Sequence, residues 1–188
     1  MKNSWFEIDK KGLQQIQNDK NKFFIIKELV SNSFDEDINR CVLTLDFDNV
    51  FCKDKELFVN VLDDSKDGFK DLKDSYTMFA PSYKKGIATK RGRFNVGEKF
   101  ALSMFRTACI TSTTGRGTFL EDGTRKKTYT KIDKGTLFMG KLPKINKSQY
   151  EDLINQSQNI IPPKDVEFLV NGKVIDRLPT YKSFIEEL

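Results

Sequence analysis

Residues suited to phosphate chemistry fall in three short segments of the chain. The first is Glu28-Leu29-Val30-Ser31-Asn32-Ser33-Phe34-Asp35, which sets a carboxylate, an amide and a second carboxylate at i, i+4 and i+7. On a helix these three share a face; an ordinary solvated polar face has the same pattern. The second is Asp64-Ser65-Lys66-Asp67-Gly68-Phe69, directly after a predicted strand. An acidic residue at a strand end, followed by a glycine turn, can reach a ligand in the mouth of a sheet, though many plain strand-to-loop turns look alike. The third is Arg91-Gly92-Arg93-Phe94-Asn95-Val96-Gly97-Glu98-Lys99-Phe100, a glycine pair leading into a helix. Free backbone N–H groups and the helix dipole attract anions there, and glycines let the backbone come close to phosphate.

These segments need elements to hold them. Phe23 to Asp37 reads as a helix, with Phe23, Ile26, Val30 and Phe34 on one apolar side and the Glu28/Asn32/Asp35 trio roughly opposite. Cys41–Phe47 alternates with period two and predicts a half-buried strand, and Leu57–Leu62 predicts a second. A long connection, Ser65 to Asn95, surrounds a short helical piece near Asp71–Phe79 that Pro81 breaks; such length inside a domain is usually functional. A helix is expected from Gly97 to about Phe105, then the strand Ala108–Thr113. Asp122-Gly123 and Asp133-Lys134-Gly135 read as turns, the latter leading into a strand at Thr136–Gly140. Ser148 to Asn159 reads as a helix capped by Ser148. Val166–Val170, Asn171-Gly172 and Lys173–Ile175 give a strong hairpin signal. The order predicts an α+β two-layer sandwich, a mixed but mostly antiparallel sheet with helices on one face. Residues 1–145 are expected to form the core, and 146–188 a helix-and-hairpin extension leading to a further domain.

Composition narrows the chemistry. The 188 residues include 32 Lys+Arg, 27 Asp+Glu and no histidine, for a formal charge of +5. Without histidine there is no imidazole base, no Ser-His-Asp or Cys-His pair and no His-ligated zinc, so acid–base work falls to Asp, Glu, Lys, Tyr or Cys. The basic excess suits polyanionic partners. Cys41, Cys52 and Cys109 lie in apolar stretches without a C-x-x-C pair, which predicts buried reduced thiols and a cytoplasmic setting. No apolar run approaches the ~20 residues of a membrane helix, so no membrane partner is expected.

Taken in order, the three segments resemble the N box and two glycine boxes of the GHKL ATPases: gyrase B, the ninety-kilodalton heat-shock chaperone, the sensor histidine kinases and MutL. Glu28–Asp35 matches E-L-x-x-N-[SA]-x-D, Asp64…Gly68-Phe69 looks like D-x-G-x-G, Arg91–Gly97 looks like the second glycine box, and Gly135-Thr136 resembles the late G-T. The resemblance spans about residues 23 to 140 and implies the Bergerat ATP-binding fold. It implies Glu28 as the general base toward the γ-phosphate, Asn32 as a Mg²⁺ ligand and Asp35 as a further N-box residue at the nucleotide. Asp64 is implied as the acceptor of the adenine amino hydrogens, with Asp63 competing for that role, and Thr136 as a second adenine-side residue. Gly68, Gly92 and Gly97 would shape the loops, with the stretch between Gly68 and Gly92 as an ATP lid. Lys84, Lys85, Arg91, Arg93 and Lys99 supply cations. Two departures are plain: Lys66 stands where the first glycine of D-x-G-x-G belongs, and Arg93 and Asn95 occupy positions where stricter members have glycine.

The expected activity is therefore Mg-dependent ATP binding and hydrolysis, slow in isolation, by the N-terminal module of a longer nucleotide-switched protein. Expected partners are ATP, a second copy in an ATP-dependent homodimer, and nucleic acid through a downstream domain. A different class of function, a non-enzymatic basic module binding nucleic acid or protein, is supported by Arg116, Arg125, Lys126, Lys127, Tyr129 and Lys131 along one predicted hairpin. A solvated hairpin face would show the same residues.

Overall fold

The computed structural model describes residues 9–17, 21–53, 55–77 and 97–176, except the side chain of Glu98. Four α-helices are described: α1 (Lys10–Gln17), α2 (Lys22–Phe34), α3 (Gly97–Ser103) and α4 (Lys147–Gln158). Eight strands are described: β1 (Arg40–Asp46), β2 (Glu56–Asp63), β3 (Thr107–Ser112), β4 (Gly115–Phe119), β5 (Arg125–Thr128), β6 (Thr136–Pro143), β7 (Glu167–Val170) and β8 (Lys173–Val174). They form one sheet in the order β5-β4-β3-β6-β2-β1-β7-β8. Only β1 and β7 run parallel; the other neighbours are antiparallel. The architecture is α+β, a mixed sheet with helices packed on it, as the element order predicts.

Period-two alternation decides which face of each central strand meets the helices. Leu43 and Leu45 of β1, with Leu57, Val59 and Val61 of β2, point into the core and are essentially buried. Against them α2 packs Ile25, Ile26, Leu29 and Val30. The apolar stripe expected on this helix was narrower. Ile26 and Val30 are fully buried, but Phe23 and Phe34 are only partly so, because α3 and α4 flank α2 and widen its buried arc to Ile25, Leu29 and Ser33. Asn21 starts the helix, its side-chain oxygen accepting the Phe23 N–H at 3.0 Å, which satisfies one of the donors orphaned at a helix start.

Two boundaries differ from expectation for local reasons. Helix α4 is capped by Asn146, not Ser148: Asn146 Oδ1 accepts the Gln149 N–H at 2.8 Å, and Gln149 Oε1 accepts the Asn146 N–H at 3.0 Å. That reciprocal pair is a capping box. The helical piece near Asp71 is a 3₁₀ turn, Leu72–Ser75, in which Asp71 caps the Lys73 N–H at 2.9 Å.

The Asn171-Gly172 turn has φ of 48° and 80°, the left-handed pair a two-residue hairpin needs. The Asn171 side chain also continues the β1 ladder, accepting from Leu45 N–H at 2.7 Å and donating to Leu45 C=O at 2.9 Å. Thus β7, beyond residue 145, lies hydrogen-bonded beside β1 in the same sheet. At the far end of β2, Glu56 is 4% exposed and accepts both Arg106 Nε and Arg106 Nη2, the latter at 2.9 Å, as well as the Lys53 N–H at 2.8 Å. This fork ties β2 to the turn between α3 and β3.

Candidate nucleotide site

At the C-terminal end of β2 the alternation that buries Val59 and Val61 carries Asp63 inward as well, leaving it 5% exposed. Burial of a carboxylate without partners is costly, and here its partners come from three segments. Oδ1 accepts Ser65 Oγ at 2.7 Å, Ser65 N–H at 3.1 Å and Thr136 N–H at 3.1 Å. Oδ2 accepts Ser33 Oγ at 3.2 Å. Burial pushes the Asp63 carboxyl up from its ordinary value, while the hydrogen bonds from Ser65, Ser33 and Thr136 oppose that shift. Across the β1–β2 pair, Cys41 faces Asp63, and burial pushes its thiol up to about 12. Cys41, Cys52 and Cys109 are all free thiols; Cys41 is buried as expected, and the other two are half-buried.

Asp64 sits elsewhere. Its Oδ1 accepts the Asn39 and Arg40 N–H groups, both at 2.9 Å, and its Oδ2 meets Lys134 Nζ at 3.0 Å. Burial works against its ionisation, but the hydrogen bonds from Arg40, Lys134 and Asn39 outweigh that and hold the carboxyl at about 2. Of the two aspartates that compete for the adenine role, Asp63 is bonded to Thr136, and Asp64 pins the chain entering β1. Gly68 sets the glycine-box count from Asp64. Strand alternation instead selects the odd-numbered position.

The loops around Asp63 are packed backbone to backbone. Gly68 has φ of +56°, and a Cβ there would lie 2.3 Å from Ser112 Oγ and 2.6 Å from the Gly135 carbonyl oxygen. Gly135 has φ of +83°, and its Cβ would lie 2.0 Å from the Asp63 carbonyl oxygen. The Gly135 N–H donates to Ser65 C=O at 2.8 Å, and Phe69 N–H to Ser112 Oγ at 2.6 Å. Ser65 and Ser112 were not singled out in the sequence. Counting the glycine box from Asp63 puts Ser65 in the place of its first glycine, which is the signal that would have found it.

On α2, Ser33 reaches Asp63, while Glu28 and Asn32, half-buried, lie on the preceding turns. Asn32 Nδ2 is buried and makes no hydrogen bond among the described residues, an arrangement that asks for an acceptor. A Cβ on Gly97 would lie 2.0 Å from Glu28 Oε2, so the Glu28 carboxylate rests against the start of α3, and a side chain at position 97 would displace it. Asp35 is buried and forms the C-cap of α2, its N–H bonded to the Ser31 carbonyl and the following Glu36 N–H to the Ser33 carbonyl, both at 3.0 Å. The helix places it past the Glu28–Asn32 turns rather than on an exposed face with them. Lys99 is 5% exposed in α3. It lines a cavity of about 200 Å³ between α1, α3 and β4, with Tyr76, Leu102, Phe105 and Phe119 among the other walls. That cavity includes none of Glu28, Asn32, Asp63 or Thr136. Lys84, Lys85, Arg91, Gly92 and Arg93 lie outside the described residues.

The structure thus brings Ser33, Asp63, Ser65, Gly68 and Thr136 together at one end of the sheet, with Asn32, Glu28 and Gly97 beside one another along α2 and α3. Among solved structures, the ATPase region of Saccharomyces cerevisiae topoisomerase II bound to ICRF-187 (dexrazoxane) matches with a TM-score of 0.60 at 12% identity, covering 82% of this chain and 48% of that one. A second structure of the same ATPase region matches with the same values. The fold is shared with that ATPase region. This chain spans about half the length of those solved chains. No family model matches the sequence, and no curated protein does. Among the described residues, no helix is long and apolar enough to cross a membrane.

Proposed function

We propose that this chain is a Mg-dependent ATP-binding and hydrolysing module of the GHKL type. The observation that carries the reading is the buried Asp63, bonded to the N-box serine Ser33 and to Thr136, within a few residues of the unpaired amide of Asn32. Asp63 has an acceptor position left on Oδ2, suited to the amino group of adenine; guanine presents a carbonyl at that place. Thr136, Gly68 and Gly135 shape the base end. Asn32 would hold Mg²⁺ through its amide oxygen and give its NH₂ to a phosphate oxygen. Among the described residues no three acidic, Cys or His side chains gather around a metal position, so the other ligands of a hard octahedral ion would be phosphate oxygens and water. Bound Mg²⁺ supplies charge neutralisation to the triphosphate.

Glu28 is the general base in this reading. It takes a proton from a water molecule whose oxygen forms a bond to the γ-phosphorus, while the bond from that phosphorus to the β–γ bridging oxygen breaks and ADP leaves. In phosphoryl transfer such positioning accounts for most of the catalysis, and in a chain without histidine a carboxylate is one of the groups that can serve as the base. Gly97 leaves room for Glu28 at the start of α3. Lys85 and Gly92 are assigned to the phosphate side by resemblance to the glycine box, whereas Lys99, which lines the separate cavity beside α1 and β4, is not; closure of two copies around ATP is the associated switch.

Calorimetry of the purified chain with ATP and GTP, each with and without Mg²⁺, tests the reading. Mg·ATP is expected to bind and GTP to bind at least tenfold more weakly. Binding of neither nucleotide would overturn it.

A further inference from the structure

We propose that the β4–β5 hairpin and the loop that follows it form a docking surface for single-stranded nucleic acid, separate from the ATP site. Arg125-Lys126-Lys127-Thr128-Tyr129-Thr130-Lys131 carries four cations and no acid over seven residues. All seven are exposed, and Tyr129 is 97% exposed.

The strand geometry distributes these charges. Lys126 lies opposite Thr118, and Thr128 opposite Arg116, so Lys126 and Arg116 share one face of the ribbon. Arg125, opposite Phe119, lies on the other face with its guanidinium 4.0 Å over the Tyr76 ring. Lys126, Lys127 and Lys131 have no ion pair among the described residues. Of the acids flanking the stretch, Glu121 pairs with Arg106 at 3.5 Å and Asp122 accepts Thr124 Oγ1 at 2.6 Å, while Asp133, two residues past Lys131, is exposed.

Lysines on an edge strand also discourage edge-to-edge aggregation, and β5 is an edge strand. That role does not require a fully exposed aromatic side chain between Lys127 and Lys131. Cations that track a phosphate backbone, with an aromatic ring on which a base can stack, are the two parts of a single-strand site. A duplex, whose bases are already stacked, would use the cations and leave Tyr129 idle. The Tyr129 loop is anchored near the nucleotide site: Ile132 N–H bonds Ser112 C=O at 3.3 Å, and Lys134 pairs with Asp64 at 3.0 Å.

The test is fluorescence anisotropy of a labelled 30-nucleotide oligothymidylate with the full chain, across a salt series. Expected are binding that weakens steeply with salt, at least tenfold loss in K126E/K127E/K131E with a shallower salt slope, and at least fivefold loss in Y129A with the slope unchanged. Each variant should keep the wild-type melting temperature, as these side chains are exposed, and saturating Mg·ATP should not displace the strand. The proposal is overturned by no binding, by undiminished binding of the triple variant, or by displacement by Mg·ATP. It is also overturned by duplex binding equal to single-strand binding with Y129A indifferent. A preference for phosphatidylserine vesicles over the oligonucleotide would overturn it in favour of a membrane surface. Calorimetry of Mg·ATP reads the other site, so the two readings fail separately.

Discussion

Three of the four hydrogen bonds to the Asp63 carboxylate fall on Oδ1, and Ser33 takes the fourth on Oδ2. The same atoms that hold the carboxylate in the core therefore aim its remaining acceptor. Asp63→Asn should reduce ATP binding at least tenfold by calorimetry, because an NH₂ must replace one acceptor oxygen. Asp64→Asn should leave ATP binding within about twofold. Since burial raises the Asp63 pKa, its proton returns at higher pH than for an ordinary aspartate, and protonation removes the acceptor. ATP affinity should fall as pH is lowered toward that raised value, and the fall should be absent in Asp63→Asn. The sign for stability is opposite: the folded state favours the protonated form, so this residue's contribution diminishes as pH rises through its folded pKa. Glu28→Ala should abolish phosphate release while Mg·ATP binding persists; wild-type turnover in that variant would remove Glu28 as the base. Much of this site was legible in the sequence. Glu28, Asn32, Ser33 and Thr136 stand in recognisable motifs, whereas Asp63 was obscured by Gly68, which suggested counting from Asp64. The period-two run Leu57, Val59, Val61 already pointed at position 63.

At the scale of elements, two polar ties hold the sheet's ends and should respond differently to substitution. Glu56 and Arg106 are 5% and 17% exposed at their side chains and form a two-point pair. Glu56→Ala removes this fork while Arg106 retains Glu121 at 3.5 Å, and should cost about 1–3 kcal/mol in chemical denaturation. Asp64 holds the start of β1 with its ionised form, its pKa depressed to about 2. The stability it contributes is full above the ordinary aspartate value and is lost as pH falls from about 4 through 2. Asp64→Asn should therefore flatten the acid limb of the unfolding curve. The strands, the helix at residues 22–34 and the Asn171-Gly172 turn follow from periodicity and turn chemistry that any window of the sequence carries. The cap of α4 was misplaced because Asn146 and Ser148 are both good caps; Gln149, three residues after Asn146, completes the box and decides between them.

For the whole molecule, strand order is what local pattern could not supply. Nothing between residues 40 and 170 in the sequence announces that β7 will lie parallel beside β1, since that pairing depends on which edge remains open once β2 and β6 have paired. Phe168 and Val170, fully buried, complete the core beside Cys41 and Leu43, and Phe34 meets Phe168 edge to face at 5.2 Å. A core ending at residue 145 would leave β1 an open edge with an apolar inner face. Truncation there is expected to yield aggregates or a melting temperature well below that of the full chain, measured by size-exclusion chromatography and calorimetry; a monomer of unchanged stability would establish residues 1–145 as an independent unit.

The β1–β7 pairing also sets an order of events during synthesis. Strand β1 is made early, yet one of its two edges has no partner until more than a hundred further residues have been added. Through that interval it is a row of unsatisfied amides and carbonyls, open to any passing strand, including β1 of a nascent neighbour. The Asn171 side chain, bonded to both backbone groups of Leu45, is the last piece to close that row. Its arrival marks the point in translation at which this edge of β1 stops being a template for other chains.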